Sequence, residues 1–424
     1  MTTRAIYILE KDDPQKENGM SSLLDSFLRY VRVDTASDED SPTAPSTPAQ
    51  LDLLRMLESE LREIGMLDVE LSGQGVLYSR MPGPGEGPVI GLIAHVDTSP
   101  EEPGSGVAPV LHHGWDGSPI TLGSGVTVDP ARSVDMMRYR GTTIVTSDGS
   151  TLLGADDKAG VAVIMDVLRS MLADPSIPRP RIVAAFTPDE EVGRGVENFD
   201  VARFGADFAY TVDGGVIGEI ETATFNAWSA EWRIRGRQVH PGSAYGLMVN
   251  AARIASEIVC ALKTEEMPEN SRGMEGYDYP LNISGTSSDA RVKMILRDFT
   301  SPGIEERCAR MQGLRDFMAL KHPGSEIVLT LKEQYRNPSE ILGKDRRPVE
   351  YALEGASRAG VDCREGVVRG GTDGSRLSFM GLPCVNLPTG GELFHSREEW
   401  ISERGMELAR DLAIQTLGVW AERG

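Results

Sequence analysis

Continuous apolar runs of strand length are the clearest pattern in the first half of the chain. They occupy Val89–Val96, Arg181–Thr187 and Ala206–Val212, and such runs are typical of strands buried on both faces of a sheet. An apolar helix is predicted between the first two runs, over Val161–Leu172, and helical spacing of apolar residues also marks Met20–Val33. Strands that alternate with helices predict an α/β domain with a mostly parallel central sheet and helices on both faces.

A second amphipathic helix is predicted from its apolar stripe and its end signals. Apolar residues recur at helical spacing from Leu51 to Ile64, and Gly65 follows as the expected C-terminal cap. Thr47 is predicted to be the N-cap residue before this helix, and Pro48 its first residue.

The pattern changes near Glu221, where alternating strands and amphipathic helices predict a smaller α+β domain over residues 223–335. The predicted strands and helices there are, in chain order, Ala227–Arg235, Asn250–Leu262, Ala290–Leu296, Ile304–Leu320 and Glu326–Leu331. The α/β pattern then resumes. We therefore predict an N-terminal extension over 1–19, a main domain in two parts, 20–222 and 336–424, and an inserted domain over 223–335.

Composition narrows the classes of partner. The 424 residues carry a formal net charge of −21, which argues against binding to nucleic acid or to anionic membranes, because both require a basic surface. Four cysteines without a Cys-X-X-Cys pair argue against a disulfide framework and a thiolate zinc site. With neither a signal peptide nor a membrane-spanning run in the sequence, we expect a cytoplasmic protein.

Candidate chemistry lies where the predicted strands end, as is usual in α/β enzymes. His95 and Asp97 are two residues apart and fit a metal ligand with its orienting carboxylate, although a metal-free pair is an alternative. Asp156 opens the apolar helix, where it could bridge metals or only complement the helix dipole. Asp213 ends a strand, where an Asp-Gly turn is the alternative.

Two further segments complete the candidate ligand set. Asp189, Glu190 and Glu191 crowd three acids after a buried strand, where they indicate either a solvated loop or a bound cation. His395 lies in a glycine-led loop. Together these segments offer nitrogen and oxygen ligands without sulfur, which suits a zinc-type hydrolytic site with a shared carboxylate.

The motifs resemble those of the dizinc exopeptidases, in particular the tripeptide aminopeptidase (peptidase T) branch, whose relatives include carboxypeptidase G and succinyl-diaminopimelate desuccinylase. The resemblance covers nearly the whole chain from about Met20. The matching motifs, all in family order, are GLIAHVDT (91–98), LGADDKAG (153–160), FTPDEEVGRG (186–195), YTVDGG (210–215), VHPGSA (239–244), MVNA (248–251), RDF (297–299), RGGTDGS (369–375) and TGG with a later His (389–395).

The resemblance implies a pair of metal ions. His95 and Asp213 would bind one zinc, Glu191 and His395 would bind the other, and Asp156 would bridge both. We expect two zinc ions per subunit, with cobalt or manganese as substitutes.

The resemblance also implies roles around the metals. Asp97 would orient His95, Glu190 would be the general base, and His240 of the inserted domain, acting as a lid, would donate to the developing oxyanion. The tetrapeptide HPGS recurs at His322, but His240 is favoured because MVNA follows it as in the family.

Peptide recognition is implied for three further residues. Asn250, Arg297 and Arg369 match family positions that could bind the peptide's carboxylate, although strand-edge and helix-cap contacts are an equal alternative. The sequence departs from the family pattern at Tyr245, where Lys is usual, and at residues 392–393, where Glu-Leu replaces an aromatic residue and Asn.

These observations predict a metal-dependent aminopeptidase that hydrolyses the N-terminal peptide bond of short peptides, tripeptides in particular. A related dizinc amidohydrolase (a deacylase, a desuccinylase or a carboxypeptidase) is the alternative, and a non-catalytic metal-dependent binding protein is a third reading. Short peptides are the expected partners, and a homodimer through the lid domain is a further expectation.

Overall fold

The structure, a computed structural model, describes residues 22–83 and 87–424. The predicted extension, residues 1–19, lies outside the described residues, as does the beginning of the first predicted helix.

Helices and strands follow one another in the order that the hydrophobic pattern predicts for an α/β protein. The ten α-helices of the described residues are α1 (Leu23–Tyr30), α2 (Gln50–Glu63), α3 (Ala155–Ala173), α4 (Val201–Phe204), α5 (Ala251–Cys260), α6 (Ser301–Lys321), α7 (Ser339–Leu342), α8 (Arg347–Arg358), α9 (Asp373–Phe379) and α10 (Glu403–Arg423). The strands are β1 (Leu67–Leu71), β2 (Leu77–Arg80), β3 (Val89–His95), β4 (Val110–His112), β5 (Ile120–Thr121), β6 (Thr127–Val128), β7 (Ile144–Thr146), β8 (Arg181–Thr187), β9 (Phe208–Gly214), β10 (Glu219–Ala223), β11 (Asn226–Arg235), β12 (Tyr277–Gly285), β13 (Asp289–Asp298), β14 (Glu326–Tyr335), β15 (Arg364–Val367), β16 (Cys384–Pro388), β17 (Gly391–Glu392) and β18 (Trp400–Ser402).

A large sheet forms the centre of the fold, with the strand order β1-β2-β8-β3-β9-β16-β10-β15. The strands β8, β3 and β9 are parallel and almost wholly buried, as their continuous apolar sequences predict. At one edge β1 and β2 run antiparallel, so the sheet is mixed there. The predicted α/β class is confirmed.

Helix α3 packs directly on this sheet, against β3 and β9. The approach is so close that a Cβ atom added to Gly160 would lie 1.7 Å from the carbonyl oxygen of Val212 and 2.4 Å from Oδ1 of Asp157. Gly160 therefore sets the distance between the start of α3 and the end of β9, the two elements that carry Asp156 and Asp213.

A second sheet, with the order β12-β13-β11-β14, is antiparallel throughout. Alternate residues of β11, such as Trp232 and Ile234, are buried in one core with Ile254 of α5 and Met311 of α6. Because both helices contribute to that core, the prediction of an α+β arrangement is confirmed.

A third, smaller sheet has the order β17-β18-β7-β4. Strand β18 pairs with β7 through Trp400 and Thr146, so the loop 393–399 between β17 and β18 starts and ends on this sheet. These strands are only two or three residues long, too short for the hydrophobic pattern to predict them.

The chain divides into two compact units. The first comprises the described residues up to Ile220 together with Val349–Arg364 and Asn386–Gly424, and the second comprises Glu221–Pro348 and Glu365–Val385. The second unit contains the whole of the predicted inserted domain, and it also includes α7 and α9, which contact each other.

One predicted helix start is wrong. Helix α2 begins at Gln50 after Ala49, and not at Pro48. The hydroxyl of Thr47 donates instead to the carbonyl of Ala36, so it is used in a loop contact rather than as a helix cap. The predicted end is confirmed, because Gly65 follows the helix with φ of 93°.

Among the residues that the structure describes, no helix is long and apolar enough to cross a membrane.

We expect the substitution Gly160→Ala to destabilise the protein by about 1–3 kcal/mol, because the new methyl group overlaps a backbone carbonyl that cannot move freely. The melting temperature measured by circular dichroism should fall. Gly313→Ala on α6 is the matched control, since a Cβ there meets nothing within 4 Å, and it should be neutral or stabilising. Equal melting temperatures for the two variants would contradict this account of Gly160.

Candidate metal centre

His95 ends the central strand β3, and its side chain is only 2% exposed. Its Nε2 atom lies 3.0 Å from Oδ1 of Asp156 and 3.4 Å from Oδ1 of Asp213. Asp213 reaches this point because it lies near the end of β9, which is parallel to β3. The carboxyl ends of parallel strands thus bring the two residues together, as the sequence predicts.

Asp156 lies between two imidazole rings. Its Oδ1 atom faces His95, and its Oδ2 atom lies 3.3 Å from Nε2 of His395. The backbone of Asp156 is not helical, with φ of −85° and ψ of 105°, so this residue departs from the regular start of α3. One carboxylate therefore has a different neighbour on each oxygen.

His395 and Glu191 meet on the other side of Asp156. The Nε2 atom of His395 lies 2.9 Å from Oε2 of Glu191, whose side chain is buried. The second oxygen of Glu191, Oε1, is buried without a hydrogen-bond partner. A buried carboxylate oxygen in this state is costly unless a cation or a donor satisfies it.

The five predicted ligands form two overlapping groups. In each group the ligand atoms lie within 4.8 Å of one another: His95, Asp156 and Asp213 form the first ligand group, and Asp156, Glu191 and His395 form the second. Both groups offer only imidazole nitrogen and carboxylate oxygen, the ligands that zinc and similar divalent ions accept. With the orphaned oxygen of Glu191, the donor set fits a pair of metal ions that share Asp156.

The pKa values of the two histidines in the cluster are raised by the carboxylates around them. Burial alone would lower the pKa of His395, but hydrogen bonds to Asp156 and Glu191 outweigh it and raise the pKa to about 11. Burial likewise opposes protonation of His95, yet the carboxylates of Asp213 and Asp156 raise its pKa well above the usual range. The surrounding carboxylates therefore favour positive charge at both imidazoles.

The carboxyl groups respond to the same environment in opposite ways. Burial raises the pKa of Glu191 to about 8 and that of Asp213 to about 6. For Asp156, hydrogen bonds to the two imidazoles outweigh burial and lower the pKa. Asp156 is thus the carboxylate that this arrangement keeps ionised.

Asp97 connects the histidine to the acidic loop. Its Oδ1 and Oδ2 atoms accept the backbone N–H groups of Glu190 (3.0 Å) and Glu191 (3.1 Å), and Oδ1 lies 3.4 Å from Nδ1 of His95. The Asp97 carboxylate is completely buried. It contacts the ring of one candidate ligand, His95, and the backbone of another, Glu191.

Asp189, the first acid of that loop, is a structural anchor. Its buried carboxylate accepts hydrogen bonds from the backbone and hydroxyl of Ser46 and from the amide of Gln50. The crowding of three acids is therefore resolved by different partners: Asp189 binds the start of α2, while Glu191 faces His395.

Two carboxylates near the cluster were not predicted from the sequence. Glu399 is 1% exposed, and its oxygens accept the backbone N–H groups of Leu153, Gly154 and Asp156. Glu101 lies 3.3 Å from Nδ1 of His395. In the sequence, only the position of Glu399 four residues after His395 could have indicated its role. Its hydrogen-bond partners are about 240 residues away in sequence, so no local pattern shows them.

The remaining histidines have local contacts. His240 is exposed and precedes a short 3-10 helix, where its Nδ1 atom accepts the N–H of Gly242 at 3.1 Å. His322 lies at the end of α6 with Nε2 at 2.7 Å from Glu257. His112 and His113 lie within hydrogen-bond distance of threonine hydroxyl groups, and His112 ends strand β4.

The three predicted substrate residues all have local contacts in the second unit. Asn250 caps α5 by accepting the N–H of Arg253. Arg297 donates to the carbonyls of Trp228 and Leu296. Arg369 donates to Gly273, Glu275 and Ser271. These are polar contacts within the protein, the alternative that the sequence left open. The role of the three residues in substrate binding stays a prediction.

The two departures from the family pattern differ in their surroundings. Tyr245 is fully exposed. The side chain of Glu392 is buried and accepts the backbone N–H groups of Val134 (2.6 Å) and Asp135 (2.8 Å). Glu392 therefore ties the start of the His395 loop to another segment of the first unit.

The fold and the site together define an α/β protein with a candidate dinuclear centre at the carboxyl ends of its parallel strands. Residues 146–417 match the model of Peptidase family M20/M25/M40. The chain belongs to this family of peptidases.

Named relatives and solved structures are similar to this chain over most of its length. Peptidase T from Clostridium perfringens is 43% identical over 406 residues, which cover 95% of this chain and all of that protein. The structure of aminopeptidase PepT from Bacillus cereus is similar with a TM-score of 0.74 at 22% identity, covering 94% of this chain and 98% of that one. The YxeP protein of Bacillus subtilis, described as a dinuclear metal binding peptidase of the M20 family, has a TM-score of 0.63 at 14% identity, with 95% and 98% covered.

The shared position of Asp156 leads to a specific prediction. Because both ligand groups include its carboxylate, Asp156→Ala should weaken metal binding at both, leaving less than about one zinc ion per chain after dialysis. Elemental analysis of the dialysed protein measures this. Asp166→Ala, a buried acid farther along α3 that pairs with Arg410, is the control, and full zinc occupancy in Asp156→Ala would refute the shared role.

Proposed function

We propose that this chain is a dizinc aminopeptidase that removes the N-terminal residue of short peptides, tripeptides in particular. The observation that carries the proposal is the carboxylate of Asp156, whose two oxygens face the histidines of two different ligand groups. The names of its relatives support the same reading: a peptidase T at 43% identity over nearly the full chain, and an aminopeptidase and a dinuclear metal binding peptidase among proteins of the same fold.

His95 and Asp213 would bind one metal ion, Glu191 and His395 would bind the other, and Asp156 would bind both. Each ion then has three protein ligands, which leaves positions for water and substrate. Zinc suits the nitrogen and oxygen donors, and cobalt or manganese would be accepted as substitutes. When bound, such a pair would lower the pKa of a bound water and polarise the scissile carbonyl.

Glu190 would act as the general base that takes a proton from the attacking water and returns it to the leaving amine. Its backbone is fixed by the carboxylate of Asp97, which also contacts His95. Asp97 would therefore keep the base and a metal ligand in one geometry without itself touching the substrate.

His240 would donate to the oxyanion that forms on the substrate carbonyl. Its Nδ1 atom accepts a hydrogen bond from Gly242, so the hydrogen of the neutral ring lies on Nε2. That tautomer leaves a donor on the exposed ring. Asn250, Arg297 and Arg369 are the residues we propose for the peptide's carboxylate, in addition to their local contacts.

We further propose that the enzyme is cytoplasmic and forms a homodimer through its second unit. The four cysteines, all within the described residues, form no disulfide bond with one another, which fits a reducing compartment. Strand β12 is at the edge of its sheet and exposes the apolar side chains of Tyr279, Leu281 and Ile283, as an interface between subunits would require. Sedimentation equilibrium would measure the state of association.

Product analysis tests the proposed reaction. The zinc-loaded enzyme is incubated with Ala-Ala-Ala, Ala-Ala, N-acetyl-Ala-Ala-Ala and an N-acyl amino acid, and the products are separated by chromatography. We expect Ala and Ala-Ala from the free tripeptide and no cleavage of the blocked one, because an aminopeptidase recognises a free amino terminus.

Two results would overturn the proposal. Cleavage of the blocked tripeptide as fast as the free one would indicate a carboxypeptidase, and hydrolysis of an N-acyl amino acid in place of peptides would indicate a deacylase or desuccinylase.

The role of Glu190 is tested separately. Glu190→Gln should keep the bound zinc but lose at least about a hundredfold in kcat, the scale of general-base catalysis, because an amide cannot accept the water's proton. Glu197→Gln in the same segment is the control, since Glu197 is exposed. A Glu190→Gln enzyme with wild-type turnover would remove Glu190 from the mechanism, and turnover lost from both variants would indicate a general effect on the loop.

A further inference from the structure

Glu399 is a buried acid whose side chain accepts three hydrogen bonds from one short segment. Its Oε2 atom accepts the N–H groups of Leu153 (2.7 Å) and Gly154 (2.8 Å), and its Oε1 atom accepts the N–H of Asp156 (3.1 Å). Gly154, with φ of 79°, provides no side-chain cap for the helix that follows. The donors that a local residue would normally satisfy are therefore satisfied by a side chain from the far end of the chain.

This segment determines where the shared carboxylate points. Asp156 has non-helical backbone angles at the start of α3, so the helix alone does not set its direction. The hydrogen bond from its own N–H to Glu399 fixes the peptide group from which the side chain extends. Loss of that bond would free a backbone that must present Oδ1 to one imidazole and Oδ2 to the other.

Glu399 also belongs to the same loop as His395. The loop 393–399 ends where β18 begins, and β18 pairs with β7. The loop therefore contributes one candidate ligand through His395 and contacts the backbone of another through Glu399. The buried ammonium of Lys158, which donates to the carbonyl of Val33, provides an opposite charge that acts on both Glu399 and Asp97.

We propose that Glu399 is a positioning residue for the dinuclear centre: it holds the backbone of Asp156 so that one carboxylate serves both ligand groups. The expected effect of Glu399 on turnover rests on the proposed function, whereas its expected effect on metal binding does not. Carboxylates that orient metal ligands through hydrogen bonds typically change metal affinity or activity by about 10- to 100-fold when they are replaced.

The test compares Glu399→Gln with the wild type in two measurements. Glutamine has the same shape, but its NH2 group cannot accept an N–H, so at least one of the three backbone donors loses its partner. We expect the apparent Zn²⁺ dissociation constant of the apoprotein, measured by competition with a chromophoric chelator, to rise about 10- to 100-fold. At saturating zinc, kcat for Ala-Ala-Ala should fall while KM stays within about twofold.

Asp166→Asn is the matched control. Asp166 is a buried acid on the same helix that pairs with Arg410 of α10 and does not belong to either ligand group. It should leave zinc affinity and kcat unchanged even if it lowers the melting temperature. Equal losses of zinc affinity in Glu399→Gln and Asp166→Asn would overturn the proposal, because the effect would then follow from any lost buried charge.

Further outcomes separate the proposals from each other. If Glu399→Gln does not fold, Glu399→Asp, which retains the charge on a shorter side chain, is measured in the same way. Wild-type zinc affinity and kcat in the folded variant would overturn the positioning role. A wild-type enzyme that binds zinc but does not cleave Ala-Ala-Ala would reject the proposed function, while the comparison of zinc affinities would still decide the role of Glu399.

Discussion

The carboxylate of Asp156 between two imidazoles is the contact on which the rest of the site depends. Three carboxylates and two imidazoles meet there in a largely buried space, and buried charges are stable only when opposite charge or hydrogen bonds compensate them. The pKa values of both histidines are raised, which shows that the neighbouring carboxylates favour positive charge at this position. A pair of metal ions would supply this positive charge and, when bound, would activate water for hydrolysis.

The surrounding strands and helices bring the residues of this cluster together. Strands β3 and β9 bring His95 and Asp213 to one edge of the sheet, and Gly160 allows α3 to approach closely enough to add Asp156. Two buried acids that are not candidate ligands, Asp97 and Glu399, accept backbone N–H groups of the segments that carry the ligands. The site is thus positioned through its backbone as well as through its side chains.

The sequence was most informative where local rules apply. Buried strands follow from continuous apolar runs. The ends of predicted strands, the start of the apolar helix and a glycine-led loop supplied the five residues of the two ligand groups. Local rules failed where a distant partner decides the outcome. Thr47 looks like a helix cap but donates to Ala36. Glu399 accepts hydrogen bonds from the start of α3, about 240 residues earlier in the chain.

What the sequence by itself determined is therefore the α/β class, the order of the main elements and the residues capable of metal chemistry, because each depends on neighbours a few positions away. Residue spacing, taken without the family resemblance, left open which acids share a site, and the tertiary structure decided this. It separated Asp189, which anchors α2, from Glu191, which faces His395, and it assigned Asp97 and Glu399 to the backbone. The reason is that a carboxylate's role depends on the donors around it, and those donors come from segments far apart in sequence.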